Sequence, residues 1–361
     1  MLWPHPMKCA PVRPRSREAL LLYSPNPMKP YFLFLAAAAL TLSGARAQEG
    51  AVTFEAKAGP GQGKHVVFLS GDEEYRGEEG LPVLAKILSG KHGFKTSVCF
   101  ATGKDGTVDP NVNTTLSGSA ALDSADAIVI LLRWRQWEDV AMARFDKAFK
   151  AGKPVIALRT STHAFKFPDS SPWKFYNKFG KNVVGEDWVS HWGNHKVEAT
   201  RGVIEPAHAT HPVLRGVTDV FGDTDVYEAY PPADAAILLR GQVLKGMAPA
   251  DPPAVYSKKR ATDQVEQDVN TPMMPVAWVR DFKQESGVTN KVFTTTMGSA
   301  TDFVSEDLRR LVVNGVYWSL GMEVPAKADV GISGTFTPSK YGFDGAKKGL
   351  KPADFAPGTG K

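Results

Sequence analysis

Four polar stretches in this chain each follow a short apolar run: Asp72-Glu73-Glu74-Tyr75-Arg76, Arg133-Trp134-Arg135-Gln136-Trp137, Arg159-Thr160-Ser161-Thr162-His163, and Met297 to Asp302. Between them they carry carboxylates, guanidinium groups, hydroxyls, an imidazole and indoles, a mixture suited to a polyhydroxylated or anionic ligand. Glu74 or Glu228, working with His163, has the acid/base chemistry that sugar transformations need. Glu73, Tyr75, Arg76, Arg133, Trp134, Arg159, Thr160, Ser161, His191, Trp192 and Ser299 are the expected ligand contacts around them. Trp134, Trp137, Trp188 and Trp192 offer flat apolar faces on which sugar rings can stack.

Two further patterns bear on mechanism. Ser161 occupies the place of an elbow nucleophile, with His163, His191 or His195 as its base and Asp225 or Glu228 to orient that base. Thr160 and Thr162 stand where such a serine has flanking glycines. His191-Trp192-Gly193-Asn194-His195 spaces two histidines four apart, and Glu73, Glu74, His163 or Glu228 could complete a zinc-type ligand set. The central Gly and Asn disfavour the helix that would align both rings, so no metal ligand is assigned and the cofactor is left unknown.

The elements that must position these groups are legible in the hydrophobic pattern. The chain has 361 residues, 43% hydrophobic and 22% charged, enough for a sizeable core. His65 to Leu69, Thr96 to Ala101, Ala127 to Leu132 and Val155 to Leu158 read as buried strands. Between them lie a helix with Leu81, Leu84 and Leu88 on one face and another with Ala141, Phe145, Ala148 and Phe149 at helical spacing. This alternation implies right-handed crossovers and a doubly wound, mainly parallel α/β sheet with helices on both faces. In such sheets ligands bind at the C-terminal ends of the strands, where the four polar stretches fall.

Further along, Pro168 to Val197 reads as an aromatic loop region and Gly241 to Met274 as a solvated insertion. Strands are expected at His195 to Ala199, Asp225 to Tyr230, Ala235 to Arg240, Pro275 to Val279 and Lys291 to Thr296, and a helix at Val304 to Leu320.

Residues 28–47 have the charged start, apolar run and Ala-Arg-Ala ending of a signal peptide, which predicts an exported, periplasmic or secreted protein. Residues 1–27 are then an upstream extension, 48–63 a flexible lead-in, 64–322 a single α/β domain, and 323–361 a C-terminal arm pinned by Phe336, Tyr341 and Phe343. The formal charge of +5 belongs to the leader. Six of the 43 Lys and Arg and one of the 38 acids lie in residues 1–47, so the remainder is formally neutral. That balance argues for a small-molecule or oligosaccharide ligand and against nucleic acid as partner; the apolar run is too short to span a membrane, and oligomeric state is not encoded. Of two cysteines, only Cys99 remains after leader removal, in an apolar run with nothing beside it to activate a thiolate.

The order of Val155 to His163, His211-Pro212-Val213-Leu214-Arg215-Gly216, Asp225-Val226-Tyr227-Glu228, Pro275-Val276-Ala277-Trp278, Lys291 to Gly298 and Asn314-Gly315-Val316-Tyr317-Trp318 resembles the ThuA-like (trehalose-utilisation) family over about Lys64 to Met322. The resemblance implies a flavodoxin-like fold related to the class I glutamine amidotransferases. It also implies a role in carbohydrate utilisation, with binding of a sugar or oxidised disaccharide and its processing by a hydrolase or lyase. Those amidotransferases need a Cys at the elbow, and Arg159, Thr160 and Ser161 stand there instead, which argues against glutamine hydrolysis. A non-catalytic carbohydrate-binding or scaffold module and a serine hydrolase using Ser161 are the alternatives. Family members often carry His after the elbow strand and Gly-His near the last strand, where this chain has Arg159 and Ser299.

Overall fold

The computed structural model describes residues 50–356. The segments expected as an upstream extension (1–27) and a signal peptide (28–47) lie outside them, as do residues 357–361 of the arm. Fourteen strands and three α-helices follow in order. They are β1 Val52–Phe54, β2 His65–Gly71, α1 Gly77–His92, β3 Lys95–Phe100, β4 Ala127–Leu132, α2 Asp139–Lys150, β5 Val155–Leu158, β6 Ser190–His191, β7 Thr200–Ile204, β8 Val220–Gly222, β9 Tyr227–Glu228, β10 Ala236–Val243, β11 Ser257–Lys259, β12 Glu266–Asp268, β13 Met274–Lys283, β14 Thr289–Thr295 and α3 Glu306–Ser319.

Ten strands form one sheet in the order β1-β3-β2-β4-β5-β14-β13-β10-β7-β8. The pairs β3-β2, β2-β4, β4-β5 and β5-β14 are parallel. Counted from β2, these five strands run 2-1-3-4-5, the flavodoxin-like order, with its switch point between β2 and β4. The other half, β14-β13-β10-β7-β8, is antiparallel, and β1 caps the opposite edge antiparallel to β3.

The parallel strands are buried on both faces, so their side chains divide between two cores with period two. Val66, Phe68, Val129, Leu131, Ile156 and Leu158 pack with Leu81, Leu84 and Leu88 of α1 and Leu308, Leu311 and Val312 of α3. Val67, Leu69, Ile128, Ile130, Val155 and Ala157 face the other way, toward Ala141, Phe145 and Phe149 of α2. Helix α3 is capped by Ser305, whose side chain accepts from the Leu308 N–H. Among the described residues no helix is long and apolar enough to cross a membrane.

Several expectations are corrected. The flexible lead-in contributes β1, because Val52 and Phe54 are buried against the α1 side of the sheet. His195 to Ala199 is a turn with Lys196 in the left-handed region, and the strand begins only at Thr200. The solvated insertion holds a hairpin of β11 and β12. The arm has its own apolar anchors, with Val324, Ala328 and Val330 buried in the α1–α3 core and Phe355 stacked on Phe100.

The loop after β5 is clamped onto α2 by aromatic packing. The Phe145 ring lies between 5.3 and 6.3 Å from those of Trp137, Phe149, Phe165, Tyr176 and Phe179. Gly180 lets the loop lie on the turn that follows β5, since a Cβ there would stand 1.7 Å from the Thr162 carbonyl oxygen. Phe145→Ala is expected to lower unfolding stability by about 3–5 kcal/mol in urea titration, through a cavity that five rings cannot collapse to fill.

Candidate functional site

All four polar stretches leave parallel strands, and three of them turn by way of a non-glycine residue in the left-handed region: Arg76 (φ 56) after β2, Trp134 (φ 51) after β4 and Arg159 (φ 41) directly after β5. Such backbone costs of order 1–3 kcal/mol per residue and persists where the surroundings impose it. The turn after β2 is imposed by Asp72. Its Oδ1 accepts from the N–H groups of Glu74 (2.7 Å) and Tyr75 (2.5 Å), and its Oδ2 accepts from the Thr160 hydroxyl (2.5 Å). Burial pushes the Asp72 carboxyl above its ordinary pKa.

At the centre lies Arg159, 1% exposed. Its Nη1 donates to the carbonyls of Asp225 (2.7 Å) and Thr296 (2.8 Å), and its Nη2 donates to Asp225 Oδ1 (2.9 Å) and Tyr75 Oη (3.2 Å). The guanidinium carbon stands 3.8 Å from the Tyr227 ring centroid and 4.7 Å from that of Tyr75. Burial alone would raise the pKa of Asp225, but Arg159 and two imidazoles outweigh it and hold the carboxyl well below the usual range.

Those imidazoles are His191 and His195, brought within 4.3 Å of each other not by a helix but by a turn whose Trp192 and Gly193 N–H groups donate to the Val226 carbonyl. His191 Nδ1 lies 2.7 Å from Asp225 Oδ2. Because that carboxylate is ionised, it holds a proton on Nδ1 and turns Nε2 away from itself. His195 bridges two acids, with Nδ1 2.9 Å from Asp225 Oδ1 and Nε2 3.0 Å from Glu74 Oε1. Burial works against its charge, yet the two carboxylates prevail and lift its pKa to about 9. In return, and against the effect of burial, His195 holds Glu74 below its ordinary value, helped by Lys196 and Arg133. His163 completes the imidazole set. Burial first, then Arg133, Arg159 and His191, push it well below its ordinary pKa, so it is neutral.

The rim is aromatic and cationic. Trp134 and Trp188 lie 5.2 and 5.7 Å from the His163 ring, and the Arg133 guanidinium carbon sits 3.9 Å over Trp134. Glu73 pairs with Arg133 and with Arg135 (2.7 Å), fixing the turn after β4 to the turn after β2. The arm reaches this rim as well: Tyr341 stacks on Tyr75 at 5.3 Å, and the Gly342 N–H donates to the Glu74 carbonyl (2.7 Å).

The structure thus brings together Glu73, Glu74, Tyr75, Arg133, Trp134, Arg159, His163 and His191 from the expected set. It places the others differently. Glu228 faces away from Arg159, because its neighbour Tyr227 takes that side of β9. Its carboxylate accepts from Ser190, Tyr230, the Thr262 hydroxyl and the N–H groups of Ala261 and Thr262, so it anchors the insertion rather than serving as a cleft acid. Ser161 is fully buried, its Oγ donating to the Ile130 carbonyl (2.9 Å) and accepting from the Leu132 N–H (3.2 Å), which takes it out of contention as a nucleophile. The elbow position itself belongs to Arg159.

Thr160 ties down Asp72, and Ser299 is buried against Thr301 (2.6 Å). Trp192 is a core residue whose Nε1 donates to the Val269 carbonyl, and Trp137 is likewise buried. Arg76 is turned toward Glu78 (3.4 Å) and the arm near Gly345.

Tyr227 and Tyr341 are the site residues missing from the expectations; His195 entered them only as a possible base for Ser161 or a metal ligand, and Asp225 only as an orienter. The alternation in Asp225-Val226-Tyr227-Glu228 carried the signal, since it puts Asp225 and Tyr227 on one face and Glu228 on the other.

His191, His195 and Asp225 also form the one group among the described residues whose ligand atoms, all within 4.8 Å of one another, could hold a metal. Both Asp225 oxygens are already engaged, and a cation would have to displace the proton of His195. The arrangement fits a proton-held cluster better. A cavity of about 450 Å³ lies elsewhere, between α1 and the arm, lined by Pro82, Val83, Ile87, Ile332, Phe336 and Phe355 with Glu78, Glu79 and lysines. It has no convergent imidazoles, so the chemistry is assigned to the strand ends.

The family described as ThuA, trehalose utilisation, matches residues 65–319. This chain belongs to the ThuA family. Two solved structures similar to it are ThuA-like proteins. That from Bacteroides uniformis is 16% identical, with 73% of this chain and 93% of that chain covered and a TM-score of 0.43. That from Parabacteroides merdae is 14% identical, with 73% and 92% covered and a TM-score of 0.44. No curated protein matches the chain. As a ThuA-family member it is associated with carbohydrate utilisation. The arm that supplies Tyr341 lies beyond the family-matched segment.

Two outcomes are expected of the cluster. Arg159→Met leaves the Asp225 charge buried without its partner and is expected to cost about 3–5 kcal/mol in chemical denaturation. A histidine whose folded pKa is raised contributes stability that is fully present below its unfolded value of 6.5 and is lost as pH rises through about 9. The melting-temperature gap between wild type and His195→Gln should therefore be widest at about pH 6 and shrink through pH 9.

Proposed function

We propose that this protein is an exported member of its family that binds a sugar or oxidised disaccharide at the C-terminal ends of β2, β4 and β5 and transforms it by acid/base catalysis. The observation that carries the reading is the Asp225–His191 pair. An ionised, fully buried carboxylate fixes the Nδ1 proton 2.7 Å away, while the imidazole itself is one-third exposed at the cleft. In this reading Nε2 takes a proton from a substrate hydroxyl or from a carbon next to a keto group. His195, charged below about pH 9, and the cationic rim favour the negative charge that develops. Neutral His163 and Glu74 hydrogen-bond hydroxyls, and Trp134 and Trp188 face the sugar ring.

A second reading, a carbohydrate-binding module without turnover, is favoured by one observation: the elbow holds a fully buried arginine rather than a nucleophile. Turnover of trehalose, sucrose and their keto forms separates the two. In the catalytic reading His191→Asn and Asp225→Asn lower kcat by about a hundredfold or more. Glu228→Gln changes it only a few-fold, roughly, since Glu228 serves the insertion. Wild-type binding of these sugars with no turnover of any of them would decide for the module.

A further inference from the structure

The cleft is not completed by the family-matched segment. From Gly342 the arm turns over the switch point. The Gly342 N–H is tied to the Glu74 carbonyl, Asp344 is left-handed (φ 59), and Gly345 lies so close to Arg76 that a Cβ there would stand 3.1 Å from Nη2. One residue before this turn, Tyr341 is nearly buried between Tyr75 and His195, with centroids at 5.3 and 5.8 Å, and its hydroxyl donates to the Asp223 carbonyl (3.1 Å). One residue after it, Phe343 projects outward and is 52% exposed, its ring centroid 5.1 Å from the Arg133 guanidinium carbon and 5.9 Å from Lys196 Nζ.

Half a phenyl ring is left in water on a segment held this firmly, against the burial that apolar surface favours, so the position is informative. Three aromatic rings are exposed among the described residues, Phe175, Trp188 and Phe343, and two of them flank this one cleft. Between Trp188 and the arm runs a row of rings, Trp188 to His191 (5.7 Å), His191 to His195 (4.3 Å) and His195 to Tyr341 (5.8 Å). That row is longer than one pyranose ring. Trp188 serves a ring beside His191 and His163, and Phe343, backed by Arg133 and Lys196, stands where a second ring would leave the imidazoles.

We infer that Phe343 is a ligand-contacting specificity residue, forming with Arg133 and Lys196 a second ring subsite that makes the cleft a disaccharide site. The apolar face of a sugar ring packs on the phenyl, and its hydroxyls meet the two cations. The inference rests on the carbohydrate reading above, and calorimetric titration of the full chain with trehalose, sucrose and glucose separates the two.

Wild type is expected to bind at least one of the disaccharides about tenfold more tightly than glucose, and Phe343→Ala to lose that advantage with glucose affinity unchanged. Phe343→Trp should restore it, which a disturbance of arm docking would not explain. Wild-type disaccharide affinity in Phe343→Ala overturns the inference, as does wild-type binding of glucose as tightly as of the disaccharides; both leave the carbohydrate reading standing. No heat with any of the three sugars overturns both.

Discussion

The buried ion pair between Arg159 and Asp225 is the constraint on which the rest of the site depends. Removing two charges from water is expensive, and it is tolerated here because both Nη atoms of Arg159 and both carboxylate oxygens of Asp225 are engaged, leaving only Arg159 Nε without a partner. Arg159 reaches two carbonyls, a carboxylate and a tyrosine hydroxyl between two aromatic faces. Asp225 receives the guanidinium and both imidazoles. One interaction therefore joins the end of β5 to the segment before β9, fixes the charge state of Asp225, and through it sets the tautomer of His191 and the proton of His195. The two histidines share Asp225 yet do different things, because His191 meets that one carboxylate alone and His195 also leans on Glu74.

The sheet holds this arrangement in register. Parallel strands with both faces covered cannot slip without exposing a core, so the ends of β2, β4 and β5 are fixed relative to one another. Left-handed residues at three adjacent strand ends are sustained by that rigidity and by Asp72, Glu73 and Arg135, which knit the turns together. The antiparallel half carries no strand-end turn of this kind. Its contribution is to hold β6, β9 and the histidine turn above the switch point.

The parallel half was legible in the sequence because fully buried strands read as uninterrupted apolar runs, and Ala127 to Leu132 and Val155 to Leu158 appear with the expected bounds. The polar stretches after them fell at the cleft for the same reason. What stayed hidden depends on contacts between residues far apart in the chain. The His191–His195 spacing suggests a helix or nothing, whereas the structure uses a turn pinned to Val226. Glu228 and Asp225 are equivalent as letters, and only the side of β9 taken by Tyr227 separates a loop anchor from the hub. Ser161 stands in sequence at the place of an elbow nucleophile, but two backbone groups of β4 claim it. β8 and β1, three residues each, are too short to show a period at all.

The arginine at the elbow also bears on what else this position could hold. A single exchange of Arg159 for cysteine would put a thiol at the right backbone position but strip Asp225 of its counter-ion. It would also open a guanidinium-sized void between Tyr75 and Tyr227 and leave the carbonyls of Asp225 and Thr296 without donors. The nucleophile would arrive in a site that no longer holds its shape. A cysteine could take this position only after changes at Asp225 and the tyrosines, so the hub is kept or lost as a unit.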